Sequence, residues 1–383
     1  MVRLEPMEFG WSDEEAALRQ EVQAFLAERL PEDWDLHTPG EDPSSPFTRA
    51  MAADIAQRGW HTAHWPEAYG GRDASPWAFI IVAEELWAVG EPRGSQYMNT
   101  SWIGPAIMAA GTEEQRRQHL GPIARGEVHW CQGFSEPEAG SDLASLRTRA
   151  VRDGDHYVVN GEKIWTSYAR QADFCFLLVR TDPASQGSSG ISVLLVPMDL
   201  PGITVEVVPT MLEIHVVHRI RFEDVRVPVS CLLGREHDGW GLIREALAHE
   251  RVGAPRFARG SYVLDRLAAW AGERGLLDEP AVAARFGRAR AACHAARLLT
   301  YRVMDDRAKG RPDTPSPYVA RVAIVRAERA VAELGMDLLG RQGLRRRSRA
   351  DAHVRTAMIA GLGGGSYEVQ LNLIARLCLS MKG

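Results

Sequence analysis

Two short clusters hold residue types whose spacing could do chemistry. Ser135-Glu136-Pro137-Glu138-Ala139-Gly140-Ser141-Asp142 places two serine hydroxyls, a proline and a glycine in one loop. Pro137 fixes a φ angle, Gly140 lets the backbone pass close to a ligand, and the hydroxyls of Ser135 and Ser141 can donate to carbonyl or phosphate oxygens. Such a loop can clasp a polar, planar cofactor, although an ordinary polar turn has the same composition. Further on, Trp165-Thr166-Ser167 offers an aromatic face to stack on a ring and two hydroxyls for a heteroatom edge. A core tryptophan beside a capped strand end reads the same way.

The elements that must position these clusters change character along the chain. Ser12 with Glu15 makes a capping box, after which Leu18, Val22, Phe25 and Leu26 fall on one helical face as far as Pro31. Ser75-Pro76 is an N-cap with proline at the first helical position, opening a second helix through Phe79, Ile80, Ala83 and Leu86 to Gly90. From about residue 128 the pattern shifts to short apolar or alternating runs. Asn160-Gly161 between Tyr157-Val159 and Glu162-Trp165 predicts a hairpin with a type I′ turn, which would leave Trp165 just past it. Phe174 to Val179, Ile191 to Val196 and Val225 to Val227 read as further strands. After Gly239 the helical period returns over 240–273, 280–309, 315–340 and 350–380, the lengths expected of a bundle. The expected fold class is α+β, mainly α: a helical domain over 1–127, a small β domain over 128–235 and a four-helix bundle over 236–383.

Composition sets the frame. A chain of 383 residues, 45% hydrophobic and 25% charged, can bury large cores without disulfides. Five cysteines, an odd number without metal-ligand spacing, fit reduced and packed thiols, so no metal site is expected. A net charge of −5 argues against general nucleic-acid binding. No apolar run approaches the length of a membrane span, which gives a cytoplasmic expectation without membrane insertion.

Taken in order, the motifs resemble the acyl-CoA dehydrogenase family over nearly the whole chain. The resemblance is carried by Trp65-Pro66-Glu67-Ala68-Tyr69-Gly70-Gly71, Glu84-Glu85-Leu86, the loop from Phe134 to Asp142, and Asn160-Gly161-Glu162-Lys163-Ile164-Trp165-Thr166-Ser167. It continues through Phe222 to Pro228 and Glu250-Arg251, and closes on Gly364-Gly365-Ser366-Tyr367-Glu368-Val369-Gln370. It implies helical, β-barrel and four-helix domains around FAD. By position, Gln132, Gly133, Phe134, Ser135, Gly140, Ser141, Trp165, Thr166 and Ser167 would line the flavin, with Ser366 and Glu368 near its adenine half. Ser141 and Arg251 would meet the substrate. Gly340-Arg341-Gln342-Gly343 is similar to a further segment that contacts the dinucleotide.

The family's reaction removes an α proton while a β hydrogen leaves as hydride, so one carboxylate must stand on the substrate face away from the flavin. A carboxylate in an apolar slot has a raised pKa, which suits that task. Many members carry this Glu just before the Gly-Thr of the terminal motif, where this chain has Gly364. A second family arrangement puts it on the first helix of the C-terminal domain, where Glu250 stands. Glu250 is therefore the expected catalytic base; Gly253 and Pro255 nearby predict a bent helix with little bulk beside it. A solvated Glu-Arg pair is the competing reading. The run Gly363-Gly364-Gly365 predicts room for a branched or bulky acyl group, or else a plain helix break. The arginine-rich pieces His215 to Arg221 and Arg345 to Arg349 could meet CoA phosphates, or be solvated faces.

The resemblance implies an acyl thioester substrate, on CoA or a carrier protein, and an electron-transfer flavoprotein as acceptor. It implies a homodimer or homotetramer, with a heterotetramer also open. Two rival readings remain: a flavin-dependent monooxygenase or oxidase on the same fold, and a half-site partner subunit of a heteromeric dehydrogenase.

Overall fold

The computed structural model describes residues 10–31, 34, 45–212, 216–311, 315–345 and 349–381. The chain opens with helices α1 (Asp13–Arg29), α2 (Pro46–Gln57) and α3 (Pro76–Ala88). The predicted capping box is present: the Ser12 hydroxyl accepts from the Glu15 amide and the Glu15 carboxylate accepts from the Ser12 amide. Val22, Phe25 and Leu26 bury against Met51, Ile55, Trp60, Val82 and Leu86, tying the three helices together. Ser75 caps α3 with Pro76 in its first turn, as expected.

A short α4 (Gln96–Met98) then runs through a π-helical turn (Asn99–Ile103) into α5 (Gly104–Ala110), followed by α6 (Glu113–Ala124). The π turn has a local cause. The Gly104 amide reaches back to the Asn99 carbonyl, leaving the Thr100 carbonyl without a helical donor because Pro105 has no N–H. The Trp65 indole N–H supplies the bond at 3.2 Å. A Cβ on Gly104 would lie 2.2 Å from the Trp65 ring, so a glycine is required there. The Trp65-to-Gly71 motif is thus a prop for this turn.

The central layer is an eight-stranded sheet: β1 (Trp130–Gly133), β2 (Arg149–Asp153), β3 (His156–Ser167), β4 (Phe174–Arg180), β5 (Ile191–Pro197), β6 (Ile203–Val207), β7 (Val217–Pro228) and β8 (Leu232–Leu233). Its order is β6-β7-β3-β2-β4-β5-β8, with β1 parallel to β4. The expected hairpin at Asn160-Gly161 is corrected here: β3 runs straight through it. The actual turn between β2 and β3 falls at Gly154, and Asn160-Gly161 instead marks a bulge in the pairing of β3 with β7. Gly161 is needed for close approach, since a Cβ there would sit 2.5 Å from Thr148 Oγ1. The Asn160 side chain is spent on Asp224 across the ladder.

Helices return as α7 (Gly239–Gly253), α8 (Arg256–Gly272), α9 (Pro280–Ala308), α10 (Ser316–Leu339), α11 (Arg349–Ala360) and α12 (Tyr367–Cys378). The expected bend near Gly253 and Pro255 is a full break between α7 and α8, and the last stretch divides at 361–366. One core, including Trp65, Trp102, Ile103, Trp130, Phe134, Phe176, Ile243 and Ala246, joins the π turn, α5, α6, the sheet and α7. A second, built on Leu264, Phe286, Ile324 and Val331, holds α8, α9 and α10 together.

Candidate active site

The two expected cofactor segments are neighbours, clamped by a buried ion pair. The Ile164 amide donates to the Ser135 carbonyl at 2.9 Å. Lys163, 0% exposed, donates through Nζ to the Phe134 carbonyl at 3.0 Å and to Glu136 Oε1 at 2.8 Å. Glu136 also accepts from the amides of Arg147 and Thr148 at 2.6 and 2.8 Å. Burial works to raise the Glu136 carboxyl, but Lys163 and these donors outweigh it and hold it below the usual carboxylate range. Gly133 and Phe134 are buried, Ser135 is half-buried, and Gly140 and Ser141 lie on the exposed side of the loop.

Trp165 sits at a second bulge of β3, in the left-handed region at φ 61°, and is 60% exposed. A large aromatic held in that conformation on a surface has lost the burial that normally repays its area. Beside it, the Thr166 Oγ1 is buried with no hydrogen-bond partner, and Ser167 is half-buried.

Glu250 lies in the last turn of α7. Its Oε2 accepts from Gln132 Nε2 at 3.3 Å, and Gln132 Oε1 accepts from the Trp102 indole N–H at 2.8 Å. Burial pushes the Glu250 carboxyl above its ordinary range; the Gln132 donor and the charges of Arg321 and Arg251 pull against that rise. A Cβ on Gly364 would lie 3.4 Å from Glu250 Oε1, so position 364 and the Glu250 carboxylate address one volume. Arg321 Nη2 donates to the carbonyls of Ala360 and Gly363, pinning that loop to α10. The solvated Glu-Arg reading fails for Arg251, which is buried with its guanidinium 4.7 Å from the Tyr318 ring centroid. A small pocket lies along α7, lined by Trp102, Pro105, Ala106, Leu242, Ala246 and His249.

Ser366 caps α12, its hydroxyl accepting from the Val369 amide, and Glu368 is exposed. Gly340 to Gln342 form an exposed 3-10 turn. Arg219 and Arg221 pair with Glu162, and Arg221 also with Glu206, which favours the solvated-face reading for that run. His215 and Arg346 to Ser348 lie outside the described residues. Among the described residues no three His, Cys, Asp or Glu are placed to hold a metal ion, and no helix is long and apolar enough to cross a membrane. Trp102 and Arg321 escaped the sequence reading, since neither sits in a motif. Lys163 gave a signal, sharing the inward register of Tyr157 and Val159.

Profiles described as the N-terminal, middle and C-terminal domains of acyl-CoA dehydrogenase match residues 12–127, 131–225 and 237–379. The acyl-CoA dehydrogenase FadE26 of Mycobacterium tuberculosis is 34% identical, over 98% of this chain and 99% of its own length. The chain belongs to the acyl-CoA dehydrogenase family. FadE29 of the same organism is 32% identical over 94% of the chain and 95% of its own length. Among solved structures, one described as the Tcur3481-Tcur3483 steroid ACAD has a TM-score of 0.89 at 30% identity, covering 98% of this chain and 100% of its own. One described as the ChsE4-ChsE5 complex from Mycobacterium tuberculosis has a TM-score of 0.87 at 32% identity, with the same coverage. This protein is an acyl-CoA dehydrogenase, an FAD oxidoreductase, and the oxygenase reading gives way. Its residues fit that cofactor: the orphaned Thr166 hydroxyl needs a polar partner and the exposed Trp165 face needs a planar one.

Proposed function

We propose that this dehydrogenase removes the α proton of an acyl-CoA with Glu250 and forms the 2,3-enoyl thioester. The observation that carries the reading is the half-buried Glu250, whose carboxylate desolvation makes more basic and a hydrogen bond from Gln132 of β1 holds in place. FAD, when bound, accepts the β hydrogen as hydride. Ser135, Trp165, Thr166 and Ser167 would hold the ring system, and Ser366 would serve the nucleotide end. Glu250 receives the proton at a carboxylate oxygen, while the Gln132 amide keeps that group in one orientation. Trp102, Ala106, Leu242 and Ala246 line an apolar pocket along the same helix.

A bulky or branched acyl group is the favoured substrate. Gly364, half-buried, puts no side chain into the volume before Glu250, where a Cβ would come within 3.4 Å of its Oε1. The steroid description of one solved relative agrees with this size. An electron-transfer flavoprotein is the proposed acceptor. A partner chain, a second copy or a sister subunit, is proposed to cover the exposed apolar side chains of Met358, Leu362, Leu377 and Leu379. Two of the solved relatives are described by two chain names.

The decisive test uses the FAD-loaded protein with straight, branched and steroid acyl-CoAs. Bleaching of the flavin by one of them, lost in Glu250→Gln together with α-proton exchange into deuterated water while flavin stays bound, is the expected result. Retention of both in Glu250→Gln would sink the assignment.

A further inference from the structure

Trp102 lines the pocket along α7, but its indole N–H has a role the reaction as written does not use. It lies on the π turn, 3% exposed, edge-on to Tyr97 with ring centroids 5.7 Å apart. Gly253 gives it room: a Cβ there would lie 3.3 Å from Trp102 Cζ3. One face of the indole forms the wall of the pocket along α7, and its N–H points to Gln132.

An indole N–H can only donate, whereas a Gln amide has one accepting and one donating end. The Trp102 bond therefore settles which way the Gln132 amide is turned. Its oxygen faces Trp102, so its NH₂ must face Glu250. Without that lock the amide could rotate and present its oxygen to the carboxyl group. A donor favours the ionised carboxylate, while an acceptor favours the protonated acid. The orientation of one amide thus decides whether Glu250 is poised to take a proton or already carries one.

We propose that Trp102 is a positioning residue that, through the fixed amide of Gln132, holds Glu250 as an ionised, oriented base. The other groups whose charge bears on Glu250 are Arg321 of α10, Arg251 on α7 itself and the Tyr97 hydroxyl. None of them contacts Trp102 by a hydrogen bond, so the relay acts beside them. This inference rests on the reading of Glu250 as base only for its catalytic consequence; the relay itself is a statement about one carboxyl group.

The test titrates that group on the FAD-loaded protein without substrate. The infrared band of the protonated carboxyl, assigned by its loss in Glu250→Gln, is followed against pH in wild type, Trp102→Phe, Gln132→Leu and the double variant. Loss of one hydrogen bond to an ionised group should move the titration up by about one pH unit in each single variant. The double variant should move no further than Gln132→Leu, because both changes break the same chain. An unmoved titration in Trp102→Phe overturns the relay, as does an additive double variant. Should Trp102→Phe fold poorly, Gly253→Ala, which crowds the indole from α7, must give a shift of the same sign or the relay is refuted. The acidic limb of kcat/KM against pH is recorded alongside. A limb that follows the infrared shift supports relay and base together. An infrared shift with an unmoved limb keeps the relay and removes Glu250 from the proton transfer.

Discussion

Lys163→Met should cost this enzyme both stability and cofactor, and the magnitude follows from its surroundings. The ammonium has no exposed surface, and its partners are one carbonyl and one carboxylate. Methionine matches its length, so packing changes little, but Glu136 is left as a buried charge with only two backbone donors. Removing one partner of such a pair costs about 3–5 kcal/mol. A chain of 383 residues unfolding as one unit has an entropy of unfolding near 0.8 kcal/mol per kelvin, so the melting temperature should fall by about 4–6 °C. Because the pair joins the two segments proposed to hold the flavin, FAD should bind more weakly as well.

The assay is a double-mutant cycle on FAD-loaded protein, with Lys163→Met, Glu136→Gln and their combination compared by thermal melt and by flavin retained after dialysis. The double variant should lose less than the sum of the single variants, since removing both charges leaves neither unpaired. A Lys163→Met protein that melts within about a degree of wild type and keeps its flavin would refute the reasoning.

Glu250→Gln should melt higher than wild type at pH 8. Burial raises the folded carboxyl above its ordinary value of 4.5, so stability falls as pH rises through that window, and the gap between the two proteins should close below about pH 4.5. Gly161→Ala forces a Cβ to within 2.5 Å of Thr148 Oγ1 and should cost about 2–3 kcal/mol by denaturant melt, whereas Gly140→Ala, with nothing within 4 Å, should be silent. In acid, His61, His64, His119, His249 and His353 are kept neutral by burial, and His64, His119, His249 and His353 are lowered to about 3 or 4. The unfolded chain takes up these protons near pH 6.5, so these five histidines together should contribute about five protons to unfolding at pH 5, against which the raised carboxyls of Glu91 and Glu250 release some, and a melting curve that implies no net uptake would be inconsistent with that picture.

What could be read from the sequence was whatever has a local physical cause. The capping box at Ser12 and the Ser75-Pro76 start are contained within four residues, and both helices begin there. Asn160-Gly161 shows the limit of that logic. The dipeptide suits a tight turn, yet what requires glycine at 161 is the approach of Thr148, a residue on the neighbouring segment that no local window contains. The same holds for the π turn, which depends on Trp65 far earlier in the chain. Lys163 was legible in principle from its inward register, but a lysine at an apolar position is informative only once its carboxylate partner is known.

The placement of the carboxylate follows the same distinction between position in the chain and position in space. Glu250 comes from α7, its hydrogen-bond partner Gln132 from the sheet, that partner's lock Trp102 from the first helical layer, and the facing Gly364 from the segment before α12. A carboxylate at 364 as well would set two negative charges in one buried volume, where they could not both ionise at neutral pH. With Glu250 in place, the glycine at 364, which also sits at a positive φ of 68°, keeps a second charge out of that volume. On the proposed mechanism one carboxylate at one point suffices, and Glu250 would supply it from α7. On that reading the missing carboxylate of the terminal segment and the carboxylate of Glu250 are one feature seen from two places in the chain, because Gly364 and Glu250 face the same volume.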